Sequence, residues 1–116
     1  MKALMISLIF FSQLSMAARI LEARWDAGSR SVVVKLAYHG GCLPHVFSID
    51  WQGCELDPID NSVVRFGQIL DSGWQDTCSG AEQIQTIVIQ EPQDGCYPNA
   101  LILKSTSSKT PVRVRK

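Results

Sequence analysis

The sequence predicts an all-β fold: a small antiparallel β-sandwich of about seven strands, held by two disulfides and following a cleaved signal peptide. Three observations lead there. Short segments alternate apolar and polar residues with a period of two and end in turn residues. Four cysteines, Cys42, Cys54, Cys78 and Cys96, follow an apolar leader. The chain beyond that leader has the size of one small domain.

The leader is residues 1–17. Lys2 supplies a positive start, Ala3 to Phe11 an apolar run, and Ser15-Met16-Ala17 small residues before a cut at Ala18. The run is about half the roughly 20 residues that a membrane helix needs, so it reads as a secretory signal and not as an anchor. No cysteine follows the cut, which argues against a lipid anchor, and no later stretch is apolar enough to span. The expected mature protein is a soluble single domain, 18–116, comprising 99 of the 116 residues. It is secreted or periplasmic. An even cysteine count in an exported chain implies disulfides, and four cysteines allow three pairings.

The first predicted strand, Arg19 to Trp25, ends at Asp26-Ala27-Gly28-Ser29, a hairpin turn with Gly28 free to take positive φ. Ala18 to Ala23 taken in isolation also suits a helix. Ser31 to Tyr38 places Val32, Val34, Leu36 and Tyr38 on one face and Ser31, Val33, Lys35 and Ala37 on a wetter one. His45 to Trp51 turns Phe47, Ile49 and Trp51 inward. Ser62 to Leu70 carries Gly67 in its interior, the mark of a bulge or a close approach. Gln83 to Gln90 is the most β-prone stretch, and Ala100 to Ser105 and Pro111 to Arg115 complete the count. The polar stretch 105–110 reads as a flexible linker to a last edge strand or a loose tail.

Charge is balanced in sum and uneven in place. Without the leader there are ten basic and eleven acidic residues. Nine acids lie between Asp50 and Asp94 against Arg65, whereas Lys104, Lys109, Arg113, Arg115 and Lys116 close the chain with no acid among them. Opposite segments in one domain are expected to pair across strands or face solvent, and near-neutrality argues against nucleic-acid binding.

The densest chemical constellation is His39-Gly40-Gly41-Cys42-Leu43-Pro44-His45. His-x-x-Cys-x-x-His suits zinc or copper if all three side chains converge. A disulfide at Cys42 removes the thiolate, and His45 falls on the Phe47/Ile49 face, where a hydrogen-bonded structural histidine is the simpler reading. The same disulfide leaves no thiol for nucleophilic catalysis. Cys78-Ser79-Gly80 lacks a nucleophile-elbow pattern, and no phosphate-cradling glycine loop is present. The acids Asp50, Asp57, Asp60, Asp71 and Asp76 offer material for a glycosidase pair, but loop acids on so small a domain are ordinarily solvated.

Aromatic residues are the better functional lead. Trp51 fits an inward pattern and Trp25 lies near a turn, while Trp74 stands in the polar loop Asp71-Ser72-Gly73-Trp74-Gln75-Asp76. Exposed loop aromatics flanked by polar groups anchor protein or sugar partners. The competing reading folds Trp74 back over the core or a disulfide. Tyr97-Pro98 is a second candidate, a rigid turn that also suits a cis peptide.

Gly40-Gly41-Cys42-x-x-His45-x-Phe47, with Trp51 and later Asp76-x-Cys78, resembles a pattern found in small uncharacterised exported bacterial proteins. The resemblance spans roughly Tyr38 to Ile89 and implies no known activity. It implies that Cys42 pairs with Cys78, which leaves Cys54 for Cys96. Each bridge would close a loop of about 40 residues, worth on the order of 3–4 kcal/mol. The expected protein is thus a non-catalytic binding or structural module without cofactor, an inhibitor or envelope accessory protein with an unidentified protein or glycan partner. A metal-binding protein using His39 and His45, and a small hydrolase, are the alternatives.

Overall fold

The computed structural model describes residues 18–78, 80–106 and 110–116; the leader and part of the 105–110 stretch lie outside them. Seven strands form two sheets: β1 (Arg19–Asp26), β2 (Ser31–His39), β3 (Phe47–Leu56), β4 (Val63–Asp71), β5 (Glu82–Gln90), β6 (Ala100–Lys104) and β7 (Val112–Arg115). The first sheet runs β1-β2-β5 and the second β3-β4-β6-β7. No helix among the described residues is long and apolar enough to cross a membrane.

Alternation writes the core. Val32, Val34 and Leu36 of β2 and Ile87 of β5 face Phe47 of β3, Ile69 of β4, Leu101 and Leu103 of β6 and Val114 of β7. At about 25 cal/mol per Å² of apolar surface removed from water, burial of this cluster drives the sheets together. The stretch from Arg19 to Ala23 joins β1, with a register shift between Ile20 and Glu22 that leaves Leu21 exposed. That bulge breaks the period-two pattern and explains why the segment read ambiguously as helix or strand.

Three local expectations are corrected. β3 continues past Trp51 to Leu56, through a register shift between Trp51 and Cys54 that carries Cys54 into the strand. The β1–β2 turn takes its positive φ at Arg30 (53°), while Gly28 has none and its N–H donates instead to Asp26 Oδ1 at 3.2 Å. The second sheet is also not wholly antiparallel, because β4 and β6 pair in parallel. Successive strands reverse direction, so when β5 lies in the other sheet, β4 and β6 meet running the same way.

Gly67 is a close-approach site. A Cβ there would stand 2.7 Å from Ile49 Cγ2 and 3.0 Å from Trp51 Cε3 and Cζ3. The indole lies across the glycine of the neighbouring strand and fills the space its missing side chain leaves.

Both disulfides staple a crossing between sheets. Cys42–Cys78 (Cα–Cα 5.9 Å) joins the β2–β3 connection to the β4–β5 connection. Cys54–Cys96 (6.4 Å) ties β3 to the β5–β6 connection at the other end. Beside it Arg65, buried on the inward face of β4, donates through Nη2 to Asp94 Oδ1 at 2.7 Å and through Nη1 to the Gln52 carbonyl at 2.8 Å. The hydrogen bond from Arg65 holds Asp94 below the usual carboxylate range.

The uneven charge pairs across elements. Arg113 reaches Asp57 at 2.9 Å and Asp60 at 3.3 Å, and Lys116 pairs with buried Glu91 while its ammonium lies 4.6 Å from the Trp25 ring centre. β7 is therefore an edge strand bonded to β6, and Ser105 at the start of the polar connection is buried.

Replacing Gly67 tests the indole-over-glycine contact. Gly67→Ala should lower unfolding free energy by about 1–3 kcal/mol through overpacking against Trp51. Urea denaturation followed by tryptophan fluorescence measures it, and a loss near zero would show that the indole relaxes freely.

Candidate functional site

The residues that crowd the β2–β3 and β4–β5 connections meet around one imidazole. His45 lies two residues before β3, and its side chain is 4% exposed. Its Nδ1–H donates to Asp71 Oδ2 at 2.8 Å and its Nε2–H donates to Asp76 Oδ2 at 2.9 Å. A ring that donates from both nitrogens is an imidazolium. The ring centre lies 4.6 Å from that of Tyr38 and 6.1 Å from that of Phe47, so alternation on β2 and β3 supplies its aromatic walls.

Two glycines make room for it. A Cβ on Gly40 would stand 2.7 Å from both His45 Nε2 and Asp76 Oδ2, and one on Gly73 2.8 Å from His45 Nδ1. Asp76 is enclosed and fully used. Its Oδ2 also accepts the N–H groups of Gly41 (3.1 Å), Cys42 (3.3 Å) and Leu43 (3.1 Å), and its Oδ1 accepts that of Cys78 (3.0 Å). Gly41 takes φ 125°, which only glycine adopts freely, and so lets successive amides converge on one oxygen. Asp71 Oδ1 accepts the Gly73 N–H at 2.8 Å and closes the turn that carries Trp74.

Electrostatics follow from these contacts. Burial disfavours the charged ring, but the hydrogen bonds it donates to Asp76 and then to Asp71 outweigh it, and His45 titrates above its ordinary 6.5. The hydrogen bond from His45, with the backbone amides behind it, holds Asp76 far below 3.8 despite its burial. The arrangement is a clamp. With both ring nitrogens spent on carboxylates, His45 keeps no lone pair for a metal and no free position for moving a proton to a substrate.

The other candidates occupy separate places. His39 Nδ1–H donates to the Gly80 carbonyl at 3.0 Å, and its Nε2 lies 3.8 Å from Glu82. Asp76 and the sulfurs of Cys42 and Cys78 lie within 4.8 Å of one another, but the sulfurs are bonded together and offer no thiolate. Trp74 is 72% exposed, not folded back, and its N–H donates to the Asp71 carbonyl at 3.3 Å. Leu43, Val46 and Leu70, also exposed, belong to the same end of the sandwich; the Val46 and Ser72 backbones pair beside the Ser48–Leu70 step. Tyr97 is exposed too, with the Arg30 guanidinium 5.8 Å from its ring centre. It lies on the β5–β6 connection, at the opposite end of β5 from Trp74. The Tyr97–Pro98 bond is trans, against the cis form that the pair also suited.

Asp71 and Asp76 are the residues that sequence reasoning undervalued, because it weighed them as members of an acidic loop and not as the two partners of His45. A signal was available in Gly40-Gly41-Cys42-x-x-His45-x-Phe47 and Asp76-x-Cys78: every residue of that pattern touches the clamp or closes it. No family model, curated protein or solved structure matches the chain. The site is read from its own chemistry.

Stability should follow the clamp through pH. His45 has a raised folded value, so its contribution is complete below 6.5 and disappears as pH rises through the folded value. Asp76 has a depressed one, so its contribution is complete above 3.8 and disappears as pH falls toward the folded value. The unfolding midpoint should therefore be highest between 3.8 and 6.5 and decline on both sides. Thermal unfolding across pH checks this, and a flat alkaline limb would refute the charged ring. Independently, His45→Ala should cost about 3–5 kcal/mol, since it leaves two enclosed carboxylates without their cation. Chemical denaturation measures that loss.

Proposed function

We propose that this chain is an extracytoplasmic, disulfide-stabilised binding module that presents Trp74 to a protein or glycan partner. The observation that carries the reading is an indole 72% exposed on a turn whose two flanking acids both grip the buried His45 ring. An indole held in water gains from being covered, and a turn already fixed loses little entropy when a partner covers it. Leu43, Val46 and Leu70 add exposed apolar side chains at the same end of the sandwich. The two disulfides fit an oxidising compartment.

The metal-binding and hydrolase readings draw less support from the same geometry. His45 has no free ring nitrogen, His39 bonds a carbonyl, and Asp57 and Asp60 are engaged by Arg113. Tyr97, exposed with the Arg30 guanidinium 5.8 Å from its ring centre, is the secondary recognition candidate.

Trp74→Ala should weaken partner capture by about 2 kcal/mol, roughly thirtyfold, with stability unchanged within about 0.5 kcal/mol. Immobilised native protein and the variant, each exposed to the envelope and secreted fractions of the producing cell, provide the comparison. Equal recovery of partners by both would remove Trp74 from the interface.

A further inference from the structure

Four strands end the two sheets: β1 and β5 in the first, β3 and β7 in the second. An edge strand exposes unpaired N–H and C=O groups, and proteins blunt such edges with charge, proline, bulges or brevity. Three of the four edges here are blunted. β1 carries Arg19, Glu22, Arg24 and a bulge. β3 carries Asp50, Glu55 and a second irregularity. β7 is 4 residues long and carries Arg113 and Arg115.

β5 departs from this rule over all but its first residue, Glu82. From Gln83 to Gln90 it has no charge, no proline and no glycine, and its register with β2 runs unbroken from Ser31↔Gln90 to His39↔Glu82. Among the described residues only β2 bonds to it as a strand. Its outer face holds Ile84 and Val88, 58% and 61% exposed, on either side of Thr86.

We infer that β5 is a self-association edge, on which two copies of this chain pair their β5 strands antiparallel about a two-fold axis at Thr86. Directly opposed residues of an antiparallel pair share a face, so a two-fold register must be centred on a residue. Centred on Gln85 it would set Ile84 against Thr86 and Val88 against Glu82. Centred on Ile87 it would set Val88 against Thr86 and Ile84 against Gln90. Centred on Thr86 it sets each Ile84 against the second copy's Val88, and both exposed apolar side chains gain apolar partners. Glu82 then opposes Gln90, its carboxylate already held by Arg19 at 2.9 Å, and no like charges meet. An edge uncharged from Gln83 to Gln90, whose apolar pair matches itself under a two-fold, is suited to a second copy, the isologous case.

Thr86 is the position to test. It faces Lys35 on β2, so Thr86→Glu adds a favourable pair within each copy and sets two carboxylates against each other at the axis. The unaltered protein, with both disulfides formed, should sediment with the mass of two chains. Thr86→Glu should weaken the dimer by roughly a hundredfold with an unchanged far-ultraviolet circular dichroism spectrum. Because Glu22 opposes Lys35 on β1, the triple variant Glu22→Lys/Lys35→Glu/Thr86→Lys reverses all three signs and should likewise sediment as one chain; mixed in equal amount with Thr86→Glu it should restore the two-chain species. A single-chain mass for the unaltered protein up to about 1 mM would overturn the inference. So would assemblies larger than two chains, a dimer that survives Thr86→Glu, or two folded variants that fail to complement.

Discussion

The buried His45 imidazolium, gripped by Asp71 on one side and Asp76 on the other, is the constraint on which the upper end of this molecule depends. The chain passes from the first sheet to the second between β2 and β3, and back again between β4 and β5. Both crossings occur at this end. Asp76 gathers the amides of Gly41, Cys42 and Leu43 from one crossing and that of Cys78 from the other. The Cys42–Cys78 bridge repeats covalently what the carboxylate does electrostatically. A lone carboxylate in that position would be costly to bury; a cation bonded to it, with four backbone donors, makes it tolerable.

The opposite end uses the same materials in another order. Arg65 is the cation there, enclosed on the inward face of β4, and Asp94 and the Gln52 carbonyl meet its guanidinium next to Cys54–Cys96. Each end of the sandwich thus carries one disulfide and one buried cation with an acid partner, and the apolar layer from Val32 to Val114 lies between. On a chain this short the core supplies modest stability, so fixing the crossings limits the ways in which two small sheets can be joined.

What is left over after folding is informative for the same reason. Asp71, His45 and Asp76 hold the β4–β5 turn still, yet the turn leaves its tryptophan in water. β5 completes the first sheet, yet from Gln83 to Gln90 it presents an edge without the charges that mark β1, β3 and β7.

Much of the fold was legible in the sequence because alternation is a local property. Val32, Val34 and Leu36 declare a buried face whatever they pack against, and so do Phe47, Ile49 and Trp51. Gly67 announced a close approach, though not that Trp51 would be the neighbour. Where an irregularity interrupts the period past Trp51, the pattern lost its meaning and the strand was read short, whereas the bulge at Leu21 left the bounds of β1 legible to within one residue. The parallel meeting of β4 and β6 was invisible, because it depends on which sheet β5 joins and no residue in β4 or β6 encodes that.

The sequence by itself determined the strands, the two-disulfide scaffold and the structural place of His45, since periodicity, cysteine count and residue type act over a few positions or across the whole composition. Only the tertiary structure decided that Asp71 and Asp76 share that histidine and that Trp74 stays outside while Trp25 and Trp51 go in. Only it decided that β5 is left as an open edge. Those outcomes rest on distances between residues tens of positions apart, and such distances exist only once the two sheets have closed on each other.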